Sequence, residues 1–207
     1  MESAAIAIDT SRPMPGVPVY NMKLGMWVFL LSEVMFFTSL IGAYVILRFA
    51  NPDAFAAPGV VLNVPLTAAN TFILICSSVT MVKAFAAIEQ GDQRGLRLWL
   101  LATALIGMVF LGVQAYEYYQ LAGHGFVPNV AGYEAAGAPL YGATFYTMTG
   151  FHGAHVTIGV LCLWFTLFRA WRGAYTPTSH GGVEIMGLYW HFVDLVWIIL
   201  FTIVYLI

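Results

Sequence analysis

Long apolar stretches alternate with short polar ones along most of the 207-residue chain. A helix of about 20 residues crosses the ~30 Å hydrocarbon core of a bilayer, and five stretches reach that length. They cover roughly residues 24–47, 66–88, 96–121, 141–171 and 185–207. Backbone groups inside lipid must form hydrogen bonds within their own segment, so each stretch predicts a transmembrane helix. The pattern predicts an all-α, polytopic five-helix bundle over residues 23–207, preceded by a polar amino-terminal arm at residues 1–22.

Composition supports a membrane protein and excludes some partners. Hydrophobic residues make up 60% of the chain and charged residues 9%, and the mean hydropathy is +0.81. Soluble globular domains carry about 25% charged residues, so the chain is predicted to be an integral membrane protein. The formal net charge of -2 offers no basic surface for a polyanion. We therefore expect no nucleic-acid partner.

The basic residues fall on one side of the predicted membrane. Seven of the eight lie before the first span, at the turn between the second and third, or at the end of the fourth: Arg12, Lys23, Lys83, Arg94, Arg97, Arg169 and Arg172. Only Arg48 falls on the opposite side. Cytoplasmic loops carry an excess of Lys and Arg, so we predict a cytoplasmic amino terminus.

Five ionisable residues lie deep inside the predicted spans, and each costs roughly 2.5–3.5 kcal/mol to place at the bilayer centre. They are Glu33, His152, His155, His191 and Asp194. A helical rise of 1.5 Å per residue puts all five in one slab, roughly 9–17 Å from the cytoplasmic boundary. Groups at one depth on different helices can form hydrogen bonds with one another, so the spacing predicts a buried polar network.

Three interpretations of this network compete. Facing imidazoles hold metals or haem in helical bundles, but the Glu-x-x-His motif of a di-metal bundle is missing from the sequence. Chains of acids and histidines also conduct protons in membrane pumps. The third interpretation is a hydrogen-bonded clamp that fixes the helices against one another. The clamp is favoured, and we expect no metal in this chain.

Other residues are assigned to surfaces or packing. Glu117 lies among tyrosines in QAYEYY near the outer end of its span, which is typical of an interfacial aromatic belt. The candidate lipid or interfacial contacts are Glu117, Trp190 and Arg169. Cys76 and Cys162 have no second cysteine or histidine at a ligand-like spacing and are interpreted as small buried hydrophobes.

Five motifs, one in each predicted helix, resemble subunit III of the haem-copper respiratory oxidases. In chain order they are LLSEVMFFTSLIGAY, NTFILICSSVTM, GVQAYEYYQL, TGFHGAHVTIG and YWHFVDLVWIILFTIVYL. The resemblance extends from about Lys23 to the end of the chain and follows the order of motifs in that family. The candidate network residues lie inside it. Glu33 matches the carboxylate of the family's SE motif, and the other four match HG-x-HV and WHF-x-D: His152, His155, His191 and Asp194.

The resemblance implies an accessory subunit of a proton-pumping terminal oxidase in a bacterial plasma membrane. Such a subunit carries no haem or copper, packs beside the redox subunits I and II that do, and sustains proton uptake and turnover stability in subunit I. It also implies bound phospholipid in a cleft between helices. Longer family members have two further amino-terminal helices that form one wall of that cleft. This chain has the polar arm at that position in place of those two helices.

Two other functions remain open from sequence. Quinol oxidases have an equivalent five-span subunit, so the resemblance alone leaves the electron donor undecided; Glu33 in SEVMFF favours the cytochrome c branch. A stand-alone transporter would also place polar residues at mid-depth, but transporters often have two related halves and helices broken by Gly or Pro. The sequence shows no internal repeat, and no proline interrupts the centre of a predicted span.

Overall fold

The computed structural model describes residues 20–55, 61–126 and 139–206. It contains five long helices, which are α1 (Asn21–Ala50), α2 (Val64–Glu89), α3 (Gln93–Gly123), α4 (Pro139–Trp171) and α5 (Gly181–Phe201). A π-helical turn, Thr202–Leu206, extends α5. Each of the five is long and apolar enough to cross a membrane, and the described residues contain no strand beyond an isolated bridge. The predicted five-helix, all-α transmembrane bundle is therefore confirmed.

Capping side chains precede α2 and α3, and one glycine lies in the turn between these helices. Asn63 precedes α2, and its side-chain oxygen accepts from the backbone N–H of Leu66 at 3.2 Å. Asp92 precedes α3 and accepts from the backbone N–H groups of Arg94 and Gly95 at 3.0 and 2.9 Å. Gly91 has φ of 78°, a conformation that glycine adopts without steric cost. These caps satisfy amides that a helix start leaves unpaired. The positive φ of Gly91 allows a short turn between α2 and α3.

α5 is the centre of the bundle, and α1 lies at its edge. Half of the most apolar window of the α5 segment is buried, against 17% for α1. α5 packs against α1, α2 and α4, while α2 packs on α3 and α3 on α4. The side chains of α1 that face away from the bundle are mostly large and apolar, which suits a surface against acyl chains.

Trp190 on α5 is a buried wedge between two glycines. Its side chain is 0% exposed, and its indole N–H donates to Ser77 Oγ at 2.9 Å. A Cβ atom added at Gly107 or Gly159 would lie 2.7 or 2.9 Å from the Trp190 ring. The predicted lipid or interfacial contact of Trp190 is therefore wrong. The small residues of α3 and α4 leave space that the indole fills.

The structure also shows the surroundings of the two cysteines and of Arg169. Cys162 is exposed and Cys76 half-buried, so the interpretation of both as buried is wrong. An apolar residue on a membrane helix need not face the core, since lipid accepts it equally. Arg169 is exposed near the end of α4, where its guanidinium lies 5.4 Å from the centre of the Tyr175 ring. Residues 1–19 of the predicted polar arm lie outside the described residues.

Candidate functional site

Glu33 and His155 form a direct contact between α1 and α4. Nε2 of His155 lies 3.0 Å from Oε2 of Glu33, and the two side chains are only 16% and 18% exposed. The other ring nitrogen, Nδ1, lies 2.7 Å from the carbonyl oxygen of Phe151. A carbonyl oxygen only accepts, so Nδ1 must carry a proton.

This geometry determines how many protons the pair holds. With Nδ1 protonated, a neutral His155 would present the lone pair of Nε2 to the oxygen of Glu33, and two acceptors would face each other. A hydrogen bond at 3.0 Å requires one more proton, either on Nε2 of His155 or on Glu33. The pair therefore holds one proton beyond those of a carboxylate and a neutral imidazole, and it has no net charge. That composition suits a half-buried position in a membrane.

An apolar cleft of about 540 Å³ opens beside this pair, between α1, α4 and α5. Glu33 and His155 supply a carboxyl and an imidazole group to its wall, and the hydroxyl of Tyr189 donates to the backbone carbonyl of His155 at 3.0 Å. The remaining walls are mostly aliphatic and aromatic: Met26, Phe29, Ile158, Cys162, Phe165, Tyr175, Ile185 and Met186. The cleft can therefore hold an apolar chain, with one polar contact available along its length.

A polar latch joins the start of α1 to the start of α5 at one end of the cleft. Glu184 forms an ion pair with Lys23 and accepts from the hydroxyl of Tyr20 at 2.9 Å. Burial, followed by the hydrogen bond to Glu184 and its charge, raises the pKa of Tyr20 well above the usual value. Tyr20 therefore stays protonated and remains a donor to Glu184 at physiological pH.

Asp194 and His191 lie on the other side of α5, facing α2. Oδ2 of Asp194 accepts from the hydroxyl of Ser78 at 2.5 Å. His191, one turn earlier, is partly exposed and lines a groove of about 180 Å³ between α2 and α5. These two residues therefore form a second polar site, separate from the Glu33–His155 pair.

His152 occupies a third place, in the aromatic centre of the bundle. It is 0% exposed and stacks on Trp197 with ring centroids 4.8 Å apart. Phe110 and Phe37 contact it edge-on at 6.1 and 6.5 Å. The structure thus distributes the five predicted network residues over three places. Of these five, within the described part of the chain, only Glu33 and His155 bond directly to each other.

Glu117 forms a buried polar cluster that the sequence did not indicate. It is 5% exposed and accepts from Thr67 at 2.9 Å and from Tyr205 at 3.0 Å. The predicted interfacial position is therefore wrong. α3 continues to Gly123, so Glu117 lies more than one turn inside the helix, and the π-helical turn after α5 brings Tyr205 to it. No sequence spacing connects three residues that come from three separate helical segments.

Within the described ranges, no group of three or more His, Cys, Asp and Glu side chains is arranged to hold a metal ion.

The chain matches known proteins over almost its whole length. The model of the protein family "Cytochrome c oxidase subunit III" matches residues 16–207. Cytochrome c oxidase subunit 3 of Thermostichus vulcanus is 40% identical over 206 residues, covering 99% of this chain and 94% of that protein. The Synechocystis protein of the same name is 44% identical over 184 residues, covering 88% and 74%. A probable cytochrome c oxidase subunit 3 of Mycobacterium tuberculosis is 40% identical over 187 residues, covering 90% and 88%.

Proposed function

The chain belongs to the cytochrome c oxidase subunit III family, and from this premise we propose that it is an accessory subunit of a proton-pumping aerobic oxidase. In this proposal it carries no redox centre, while partner subunits I and II hold the haem and copper. Cytochrome c is the electron donor, which the names of its relatives favour over quinol. Its role is to support assembly, proton uptake and turnover stability of subunit I.

One observation carries this proposal: a hydrogen-bonded carboxyl–imidazole pair lies in the wall of an open apolar cleft. The contact between Glu33 and His155 joins α1 to α4 without leaving a net charge beside lipid. Carboxyl and imidazole side chains inside membrane helices are the groups that relay protons in pumps and transporters. The pair is therefore suited to sustain proton supply to a neighbouring subunit and to stabilise the bundle, rather than to carry electrons.

The cleft is the proposed site for bound phospholipid. Its volume of about 540 Å³ and its aliphatic and aromatic walls accommodate an acyl chain. The latch of Tyr20, Lys23 and Glu184 places charged and polar groups at one end of the cleft, where a lipid headgroup would lie. An acyl chain in the cleft would fill the space that α1 leaves beside α4.

The proposed location is a bacterial plasma membrane, with the amino terminus in the cytoplasm. The ends of the helices that carry basic residues lie together in the bundle, which supports this orientation. Arg97 on α3 donates to the carbonyl of Ala170 at the end of α4 at 3.2 Å, and Gln93 donates to the carbonyl of Tyr175 at 2.9 Å. Arg48 lies at the far end of α1. The excess of positive charge at one end is typical of a cytoplasmic face.

Co-purification tests the proposal directly. An affinity tag on this chain should recover haem-bearing partners from native membranes, and the recovered material should show a redox difference spectrum that changes on adding reduced cytochrome c. The chain released from the complex by detergent should show no haem absorbance and no stoichiometric copper. Recovery of the chain without haem-bearing partners, or haem that stays with the released chain, would contradict it.

A further inference from the structure

Three buried side chains lie on or beside one turn of α3, from Phe110 to Gln114. Each keeps a polar atom unpaired within the described part of the chain. They are Asn70 from α2, Gln114 from α3 and His152 from α4. Their exposures are 3%, 5% and 0%. Burying an unpaired polar atom is unfavourable, and most such atoms in proteins have a protein or water partner. Three of them around a single turn indicate a common partner.

Hydrogen bonds and ring contacts place these residues at the same level of the bundle. The amide nitrogen of Asn70 donates to the carbonyl of Phe110 at 3.2 Å. The ring of Phe110 contacts the ring of His152. The amide nitrogen of Gln114 donates to the carbonyl of Thr149 at 3.4 Å, and Thr149 precedes His152 by three residues on α4. Phe110 therefore connects Asn70 on α2 with His152 on α4, and Gln114 lies one turn further along α3, against α4.

The orientation of both amides is determined by their partners. The carbonyls of Phe110 and Thr149 can only accept, so Asn70 and Gln114 must direct their NH₂ groups towards them. Turning either amide around would set two acceptors against each other. Oδ1 of Asn70 and Oε1 of Gln114 are therefore acceptors that each need a donor.

His152 needs partners of both kinds. An uncharged imidazole carries one N–H donor and one acceptor nitrogen, and both ring nitrogens of His152 are unpaired among the described residues. The rings around it belong to Trp197, Phe110 and Phe37. The indole N–H of Trp197 donates to the hydroxyl oxygen of Thr71 at 2.9 Å, so it is not available to His152. The aromatic neighbours thus leave the hydrogen-bonding capacity of His152 unused.

We propose that this junction is an internal water-binding site, with Asn70, Gln114 and His152 as its ligands. A water molecule supplies two donors and two acceptors. It can accept from the imidazole N–H and donate to the two amide oxygens, which pairs three of the four unpaired atoms of the site. Buried waters in proteins typically make about three hydrogen bonds of this kind. The water thus adds a link between α2, α3 and α4 at this level of the bundle.

A groove on the surface of α3 and α4 adjoins the site. It has a volume of about 340 Å³, and its lining includes Gln114, Tyr118, Gly150 and Gly153. A Cβ atom at Gly150 would meet no described atom within 4 Å, and one at Gly153 would lie 3.9 Å from Oε1 of Gln114. The two glycines leave the amide of Gln114 reachable from the groove. This inference does not depend on the proposed function of the chain.

A structure of the intact oxidase complex, at a resolution that shows ordered water, tests the proposal. We expect density within hydrogen-bond distance of a ring nitrogen of His152 and of the amide oxygen of Asn70 or Gln114. A junction that shows no such density, at a resolution where other internal waters are visible, would overturn the proposal.

A double-mutant cycle on the complex provides a second, energetic test. Residues that share one bridging water are coupled, so His152→Leu and Gln114→Leu should not have additive effects. We expect the double variant to lose no more thermal stability than the worse single variant. The control is Gln120→Leu, an exposed amide on α3, whose effect should add to that of His152→Leu. Additive losses for His152 and Gln114 would contradict a shared water.

Discussion

At the scale of single residues, the Glu33–His155 pair shows how an acid is tolerated on a membrane helix. The backbone carbonyl of Phe151 fixes the proton on Nδ1 of His155, and this leaves Nε2 to share a second proton with Glu33. The pair is neutral as a whole, so its burial avoids the cost of an isolated charge. Sequence spacing had placed both residues at one depth, but it could not show that they face each other.

Replacing Glu33 by Ala removes this shared proton and leaves His155 without its partner. We expect initial electron transfer in the complex to stay near the wild-type rate, while the number of turnovers before inactivation falls or assembly weakens. Glu33→Gln should assemble better than Glu33→Ala, because an amide can still donate to Nε2. Ser39→Ala, an exposed hydroxyl on the same helix, is the control. An unchanged active lifetime together with unchanged assembly in Glu33→Ala would remove support for the role of this pair.

Glu117 provides a second test at this scale. Glu117→Leu leaves the hydroxyl of Tyr205, which is 0% exposed, without its acceptor. A buried donor left unpaired costs about 1–3 kcal/mol, so the thermal midpoint of the complex should fall. Glu117→Gln retains an acceptor oxygen and should cost less. Equal stability of wild type and the Leu variant would show that the cluster contributes nothing.

At the scale of helices, close packing of α3, α4 and α5 depends on glycines that face Trp190. Gly107→Ala places a Cβ atom 2.7 Å from the Trp190 ring, so α3 and α5 must separate or the indole must move. Overpacking of this kind costs typically about 1–3 kcal/mol. The matched control is Gly112→Ala on the same helix, where an added Cβ meets no described atom within 4 Å. Thermal denaturation should show a loss of stability for Gly107→Ala and none for Gly112→Ala. Equal stability of the two variants would contradict close packing of Trp190 against Gly107.

The helices themselves were predictable because apolar length alone determines a transmembrane span. The five predicted spans match five observed helices, although α5 begins at Gly181 rather than near residue 185. Contacts between helices were not predictable to the same degree. Depth along a helix follows from residue number, but the direction of a side chain around the bundle depends on which helices neighbour it. Trp190 and Glu117 were therefore assigned to the wrong surroundings, and the predicted single network lies in three separate places.

At the scale of the whole molecule, α1 is the helix that the rest of the bundle holds least. It is joined to α4 by the Glu33–His155 pair and to α5 by the latch of Tyr20 and Lys23 on Glu184. Between these two ties lies the open cleft. This arrangement follows from placing polar contacts at two levels of an otherwise apolar helix, and it makes the cleft accessible from the membrane.

Cys162 reports on the occupancy of this cleft because it is exposed and lines the wall. If phospholipid occupies the cleft, removing lipid from the complex should increase labelling of Cys162 by a membrane-soluble maleimide. Adding phospholipid back should restore protection. Cys76, which does not line this cleft, serves as the control thiol and should change little. Labelling of Cys162 that is indifferent to lipid would contradict lipid binding there.

Removal and return of the subunit test the central claim most directly. The oxidase complex is depleted of this chain in detergent, and cytochrome c oxidation is followed until activity is lost, before and after the purified chain is added back. The account predicts that depletion leaves the haem content and the initial rate nearly unchanged and shortens the active lifetime, and that the added chain restores it. Loss of haem with the chain, or an immediate loss of the initial rate, would contradict an accessory role without a redox centre.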